Sequence, residues 1–547
     1  MKLYFDFLKR YLCQYKLELF YISTITILQS IIVTCIPLST SAIVDKGITQ
    51  NDRIALRVAA IVMALLFLSN ALITILNNYL MAKVGEKIGY TLREELNTKI
   101  CKLKYGFFLK NTASNIVNSF NKEIDTIKTN ISYMLLRVMG NIISLSASIT
   151  MIFLINWKIG LFILSTSALY VISIKEWGKV ISPLAEKSFY YNERIINVLL
   201  NTYKNAVVVK MNSALSYISK HFKSEYTSFY SNEIKLETAY TANINMGMLI
   251  MSITTVVLWC FGGIKCMENS LSIGSLIAII GYQNMLTNPI NFICDFSNSY
   301  QTTNKAIKNF ESILACEEET SGNLLISPGI RNIKLKNVSF KYDSVLLLED
   351  INLNLEKGDI CGIIGESGIG KSTIAKLIVR LLNPDSGEIC INDILIDHIN
   401  LSNLRKEIGY IMQDTLFFND TILNNVFFDE HKDYNKLEEF SRNLMIYDEI
   451  MRFSEQWETV LCEDSQNISG GQKKRIDILR NVLKNASVLI FDETFSGIDI
   501  RKKCEIYEFI QRIKKDYIII IISHDQKDLE ICSRLYKIEN RKINKIL

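Results

Sequence analysis

The sequence predicts a multidomain chain, an all-α domain of six membrane-crossing helices over residues 1–325 followed by an α/β domain over residues 326–547. Three observations predict it. Six apolar stretches, at 19–41, 55–79, 131–155, 159–176, 243–264 and 273–294, each come near the roughly 20 residues that a bilayer core requires. Beyond residue 330 the composition becomes that of an ordinary soluble domain, with short apolar strands between helical stretches. Between the two lies Glu317–Pro328, acidic and then rich in Ser, Gly and Pro, which reads as a linker. At 547 residues the chain is also too long for one core.

The first stretch is the clearest, because Leu19 to Ile36 carries no charge. The fourth is the weakest, being short and running into Lys175-Glu176. Tight turns such as Asn156-Trp157-Lys158 join stretches 1–2, 3–4 and 5–6, whereas roughly 50 and 65 residues separate 2–3 and 4–5. Those long stretches are polar with helical periodicity, as in Leu92, Leu96, Ile100 and Leu103. They are rich in lysine and arginine, and the positive-inside tendency places them in the cytoplasm. Lys9, Arg10 and Lys16 place the N-terminus there too. An even number of crossings then leaves the α/β domain in the cytoplasm. The first residues have no small-residue cleavage site after an apolar run, so they do not read as a signal peptide.

Polar residues inside the apolar stretches are mostly uncharged: Gln29, Ser30 and Thr34 in the first, Ser69, Asn70, Thr74 and Asn77 in the second. The sixth holds Tyr282, Gln283, Asn284, Thr287 and Asn288 just before Pro289. Two readings compete for such groups, helix–helix hydrogen bonds and a polar lining to a cavity. Five polar residues within seven tip the 282–288 band towards lining. The scarcity of charge argues against a strongly ionic ligand for this half.

Net charge is +5, and the excess lysine is spread through loops rather than along one stripe of the soluble domain, which argues against a nucleic-acid partner. Twelve cysteines sit singly, without zinc or disulfide spacing even at Cys260 and Cys266. They read as free thiols in lipid or a reducing compartment. With four histidines, a histidine-based metal site is not expected.

The chemistry lies in the α/β half. After the short strand Cys361–Ile364 come Gly365, Glu366, Ser367, Gly368, Ile369, Gly370, Lys371, Ser372 and Thr373. This is the pattern G-x-x-x-x-G-K-[ST]. Its glycines let the backbone turn tightly and bring N–H groups to phosphate oxygens, and the following helix points its positive end at the same anion. Lys371 is placed to reach the β/γ-phosphates and Ser372 to ligate Mg²⁺, so the pattern implies ATP or a similar nucleotide with Mg²⁺. Tyr342, about twenty residues earlier, is placed to stack on a base or simply to pack in its strand. Downstream, the apolar run ending at Asp492-Glu493 presents one carboxylate to the metal and a second to an attacking water.

Between them stands Ile468-Ser469-Gly470-Gly471-Gln472. With it the chain resembles the ATP-binding cassette transporters, whose signature sequence is LSGGQ. The resemblance covers the whole chain and looks like a half-size exporter with six membrane helices. It implies that Tyr342 is the A-loop aromatic, Gln413 the Q-loop residue beside γ-phosphate and Mg²⁺, Asp499 the D-loop aspartate and His524 the switch histidine. Glu493, Gln413 and His524 are then the catalytic set, and Ser372, Gln413 and Asp492 the Mg²⁺ set. Departures are Gly497 in the D-loop, Leu479-Arg480-Asn481 for the common Ala-Arg-Ala, and Cys462 before the Glu463 turn. None removes a catalytic group.

The resemblance further implies a dimer, either a homodimer or a pair with a related half-transporter, in which the Ser469–Gln472 nest meets ATP held by the other chain. Short coupling helices are expected near Tyr105–Lys110 and Leu200–Val208. The expected activity is ATP hydrolysis driving export of a small peptide or an amphipathic or hydrophobic compound from the cell membrane's inner side. With no cysteine-peptidase pattern read ahead of the first helix, leader cleavage during export is not expected. A lipid flippase, a multidrug exporter and a membrane-anchored ATPase that gates or senses remain open.

Overall fold

The computed structural model describes residues 2–111, 116–117, 119–343, 345–428, 432–462, 465 and 467–546, without the side chains of 2, 3, 5, 119, 120, 132–136, 293–295, 297 and 298. Glu463 lies outside the described residues. The chain forms two compact units, Met1–Ile100 with Ala113–Ala315, and Cys101–Thr112 with Cys316–Leu547.

The first unit is helical. Its long helices are Lys16–Ala42, Arg53–Lys102, Ile124–Ile155, Trp157–Lys204, Leu215–Met267 and Ile273–Leu314. Among the described residues, five segments are long and apolar enough to cross a membrane: Asp6–Thr49, Arg53–Lys102, Arg137–Ile155, Trp157–Lys204 and Leu215–Met267. The sixth expected crossing lies in Ile273–Leu314, where Gln283, Asn284 and Asn288 dilute the apolar run. At 1.5 Å per residue, 50 residues of helix span about 75 Å, against a hydrocarbon core of about 30 Å. The helices therefore continue well past the apolar stretches. The Lys175-Glu176 pair does not end its helix, which runs on to Lys204. On the outer faces Ile61, Leu65, Leu68 and Leu72 stay exposed, the surface that lipid rather than water solvates.

Polar side chains tie these helices. Gln29 Nε2 donates to Thr74 Oγ1 (2.8 Å), and Asn77 Nδ2 donates to Thr26 Oγ1 (3.1 Å) and Gln29 Oε1 (3.3 Å). The 282–288 band does not behave as one lining. Tyr282 and Gln283 are fully buried. The Tyr282 hydroxyl donates to Thr34 O (2.9 Å), while Gln283 donates to Met251 O (3.0 Å) and accepts from Thr255 Oγ1 (3.1 Å). Asn284 and Asn288 are exposed. The helix step explains the split: Tyr282, Leu286 and Ile290 share one inward stripe, which turns Asn284 and Asn288 away from it.

Both expected short helices exist, with one displaced. Tyr105–Lys110 is helical as expected, but the second is Ala206–Met211, because the long helix holds its course to Lys204 and breaks only at Asn205 (φ −103°, ψ 19°). Tyr105–Lys110 belongs to the second unit. There Leu103 bridges Glu318, Lys104 pairs with Glu317, and the Lys376 ammonium sits 5.5 Å from the Tyr105 ring centre. The predicted face of Leu92 and Leu96 is fully buried in the first unit.

The second unit carries two sheets. One is antiparallel, with β1 (Asn332–Tyr342) between β2 (Val345–Glu356) and β4 (Ser386–Ile391), and β5 (Ile394–Leu395) on the far edge of β4. The other comprises β3 (Ile360–Ile364), β6 (Ile408–Ile411), β7 (Val488–Asp492), β8 (Ile518–Ile522), β9 (Arg534–Glu539) and β10 (Lys542–Lys545), in the order β10-β9-β3-β8-β7-β6. All its pairs are parallel except β10 with β9. Both faces are covered. Ile363, Ile490 and Ile520 join one apolar cluster while Leu489, Phe491, Ile519 and Ile521 join the other. Such doubly buried strands read as unbroken apolar runs, and Ile518–Ile522 is five isoleucines.

One carboxylate braces three helices of this unit. Glu449, in Tyr447–Met451, accepts from Arg475 Nη2 (2.8 Å) and Gln472 Nε2 (2.9 Å) of Gly470–Leu483 and from Lys502 Nζ (2.7 Å) of Ile500–Ile513. Burial alone would raise its pKa. The hydrogen bonds from Arg475, Lys502 and Gln472 outweigh that and hold it at about 2.

Two stability measurements follow. Gln283→Ala should lower the melting temperature, at about 0.6 kcal/mol for each interhelical hydrogen bond lost, while Asn284→Ala should leave it unchanged. Equal losses at both positions would contradict the split face. Because Glu449 titrates lower in the folded chain than its ordinary 4.5, its contribution is complete above that pH and is lost as pH falls towards 2. Wild type should therefore melt above Glu449→Gln at pH 7, with the gap closing through that window; a pH-independent gap would mean the carboxylate's charge is immaterial.

Candidate functional site

The ends of β3, β7 and β8 meet at one edge of the parallel sheet, and the loops leaving them carry the predicted residues. Ligands of open α/β sheets bind at such carboxyl ends. β3 runs into Gly365–Gly370, and the helix Lys371–Ile378 starts directly after. Gly368 (φ +81°) and Gly370 (φ +110°) take the left-handed backbone that side chains resist. A Cβ on Gly370 would also meet Leu348 at 2.9 Å. Glu366, Ser367 and Gly368 are exposed, whereas Ile369 leans on the apolar core and Thr373 is buried. The loop thus has a free outer rim and an anchored inner side.

Lys371 is only 4% exposed. Its ammonium donates to Gly365 O (2.8 Å) and Glu366 O (2.9 Å), lying across the loop, with Glu493 Oε1 at 3.9 Å. Beside it, Ser372 Oγ donates to Asp492 Oδ1 (2.8 Å), and the Tyr410 hydroxyl donates to Asp492 Oδ2 (2.9 Å). Asp492 is 2% exposed, and burial pushes its carboxyl above the usual range while the two hydroxyls pull it down and the neighbouring Glu493 charge adds to the rise.

Glu493 sits just past the strand with φ +49°, a left-handed turn that aims it away from the strand direction. Its N–H donates to Ile522 O at the end of β8 (2.9 Å). Its carboxylate gathers three other groups. Gln413 Nε2 donates to Oε2 (2.8 Å), Lys371 lies near Oε1, and His524 Nδ1 is 3.9 Å from Oε1. The Lys474 ammonium donates to the Glu493 carbonyl (3.1 Å), linking the signature helix to the same turn. In this arrangement Gln413 is held by Glu493 rather than by the Ser372–Asp492 pair.

The remaining predicted residues lie further out. Tyr342 ends β1 with its ring edge-on to Phe340, 4.9 Å between centres. Ser469 caps its own helix: its hydroxyl accepts from Gln472 N–H, and the Gln472 side chain accepts from Ser469 N–H. Gly470 is exposed, and a Cβ on Gly471 would stand 3.6 Å from Gly497 O, so the signature start adjoins the D-loop. Gly497 has φ +79°, which accounts for a glycine there. Asp499 caps Ile500–Ile513 by accepting from Arg501 N–H (3.0 Å).

Tyr410 and Lys474 were not foreseen. Tyr410 carries a readable sign, since it stands three residues before Gln413 in a strand beside the one that ends at Asp492. Lys474 sits among ordinary helix lysines and carries none.

The residues present suit a nucleotide and a hard divalent cation. The loop offers backbone N–H groups and one buried ammonium, and Ser372 with Asp492 offers adjacent hydroxyl and carboxylate oxygens, the donor type that Mg²⁺ prefers.

Two family descriptions match the chain, the ABC transporter transmembrane region over residues 19–290 and the ABC transporter description over residues 348–496. An ATP-dependent lipid A-core flippase of Psychrobacter arcticus is 26% identical over 512 residues, 91% of this chain and 84% of that protein. The lactococcin-G-processing and transport ATP-binding protein LagD of Lactococcus lactis is 25% identical over 506 residues, 90% of this chain and 71% of that one. A solved bacterial Atm1-family ABC exporter with ATP bound shares the fold with a TM-score of 0.84, at 21% identity over 96% of this chain and 94% of that one. With a transmembrane region and an ATPase cassette matched in one chain in that order, the protein belongs to the ABC transporter family as a half-size exporter, a multi-pass membrane protein whose cytoplasmic cassette binds nucleotide and couples ATP hydrolysis to transport.

Proposed function

We propose that two copies of this chain form a homodimer with two shared ATP sites, and that it exports a small peptide or an amphipathic or hydrophobic compound. The observation that carries the ATPase part is the convergence on Glu493 of Gln413, Lys371 and His524 beside the Ser372–Asp492 pair. Residues 326–547 act as the cassette and 1–325 as the membrane domain in this reading. The relatives' names support more than one cargo, lipid A-core for the flippase and lactococcin G for LagD.

In this reading Lys371 leaves the Gly365 and Glu366 carbonyls to meet the β/γ-phosphates. Tyr342 stacks on the adenine. Ser372, Asp492 and Gln413 hold Mg²⁺, which neutralises phosphate charge when bound. Glu493 takes a proton from water as its oxygen attacks the γ-phosphorus and the bond to the β-phosphate oxygen breaks. His524 and Gln413 orient that carboxylate and the γ-phosphate. Ser469, Gly470 and Gly471 present the start of a 14-residue helix to the partner's γ-phosphate. Asp499 stands beside that contact. Because each nucleotide then bridges two chains, ATP favours the closed pair and hydrolysis releases it.

Glu493→Gln keeps the shape and removes the base, so it should bind ATP, stall as a closed dimer and lose turnover by about 10²-fold or more. Lys371→Ala should instead lose nucleotide binding. Measured ATP binding and turnover separate the two, and normal turnover in Glu493→Gln would refute its role. Mixing Lys371→Ala chains with Ser469→Arg chains tests sharing. Each alone should be inactive, and mixed dimers should recover part of the ATPase through the one site free of both lesions. Uphill accumulation of cargo in sealed vesicles tells an exporter from a gate.

A further inference from the structure

Asp492 has two carboxylate oxygens, and the site uses them differently. Oδ1 accepts from Ser372 Oγ (2.8 Å), the hydroxyl expected to share the metal with it. Oδ2 accepts from the Tyr410 hydroxyl (2.9 Å), which lies outside the Ser372, Gln413 and Asp492 set.

Neither oxygen can easily change sides. Asp492 is almost inaccessible and ends β7, whose backbone is paired on both flanks: Ile490 with Tyr410 of β6, and Asp492 with Ile522 of β8. Tyr410 is held as firmly. It lies in the same ladder, half-buried, and its ring packs against the apolar cluster that contains Ile363 and Ile490. An aromatic side chain has little torsional freedom, so its hydroxyl cannot follow a carboxylate that turns. Turning Oδ2 towards a cation would break the bond and strand a hydroxyl, which is costly away from water.

Two common divalent cations make different demands on such a carboxylate. Mg²⁺ wants a near-octahedral shell at about 2.0–2.1 Å, met by one or two carboxylates together with waters and phosphate oxygens. Ca²⁺ takes about six to eight oxygens at about 2.3–2.6 Å and accepts both oxygens of one carboxylate. We propose that Tyr410 is a positioning residue that makes the site selective for Mg²⁺ over Ca²⁺, by reserving Asp492 Oδ2 and leaving Oδ1 alone to face a cation beside Ser372. This deepens the nucleotide reading and rests on its assignment of Ser372 and Asp492 to the metal. A bond that served only to tie β6 to β7 would, when lost, weaken every cation alike. A reserved oxygen, once released, admits Ca²⁺ in particular.

The test is Mn²⁺ bound to the full chain with a non-hydrolysable ATP analogue, read by electron paramagnetic resonance and displaced by Mg²⁺ or Ca²⁺. In wild type, Ca²⁺ should displace Mn²⁺ about tenfold less effectively than Mg²⁺, beyond any preference of the free analogue. Tyr410→Phe keeps the ring and removes the hydroxyl, and it should bring the two cations within about twofold of each other, chiefly through tighter Ca²⁺. Tyr410→Leu should do the same. Melting temperature confirms that each variant folds. An unchanged ratio in either folded variant, or Mg²⁺ and Ca²⁺ weakened equally, would overturn the role. So would a wild-type ratio no greater than that of the free analogue, a result that needs neither variant. Ser372→Ala is scored separately and should lose the bound Mn²⁺. Full retention there would sink the metal assignment itself, a failure distinct from that of Tyr410.

Discussion

Everything around the cassette's reactive edge depends on one buried carboxylate. Asp492 ends a strand whose preceding residues are all apolar and buried, and it is itself almost inaccessible. Such a group is tolerated only when its oxygens are hydrogen-bonded. Ser372 satisfies one and Tyr410 the other. The first bond ties β7 to the start of the phosphate-loop helix, and the second ties it to β6. The same need that keeps the sheet sound thus sets hydroxyl, carboxylate and phosphate loop into one cluster. Glu493, one residue on, escapes the constraint by a left-handed turn, and that turn is what lets it face Lys371, Gln413 and His524 instead of the core.

The parts of this that were legible in sequence are those that depend on neighbours along the chain. The glycine spacing before Lys371, the apolar run before Asp492 and the Ile468–Gln472 signature are all local, and backbone geometry makes them nearly self-sufficient. What escaped is tertiary. Glu449 reads as one acid among several in Tyr447-Asp448-Glu449, and nothing nearby announces that Arg475, Gln472 and Lys502 converge on it. The 282–288 band divides between two faces for another reason. Counting polar residues in a row ignores the 100° step of a helix, which sends Gln283 inward and Asn284 outward. The second short helix was displaced from Leu200–Val208 to Ala206–Met211 because helix ends depend on where one residue, Asn205, leaves helical geometry.

The membrane half shows two uses of polarity that sequence alone does not separate. At Gln283 every hydrogen bond joins one helix to another, and the residue is wholly buried. At Asn77 the amide nitrogen does the same, while the buried Oδ1 has no partner among the described residues. A group whose polar atoms are all matched within the chain acts as a fastener. One left with a single unmatched buried atom costs the fold stability instead.

The cassette's bracing also bears on how a signal leaves the site. The signature helix is fixed at its first turn by the Ser469–Gln472 cap, through Gln472 and Arg475 to Glu449, and through Lys474 to the carbonyl of Glu493. Lys502 brings the helix after the D-loop to the same Glu449 carboxylate. A displacement of Glu493 or of the D-loop therefore cannot be absorbed by the signature helix alone, since charge-assisted bonds would have to break together. In the same unit, the Tyr105–Lys110 helix is joined to the helix after the glycine loop through Lys376 and to the linker through Lys104 and Leu103. Lys376 and Ser372 stand one helical turn apart, so the Ser372–Asp492 bond and the contact to Tyr105 share the same short helix.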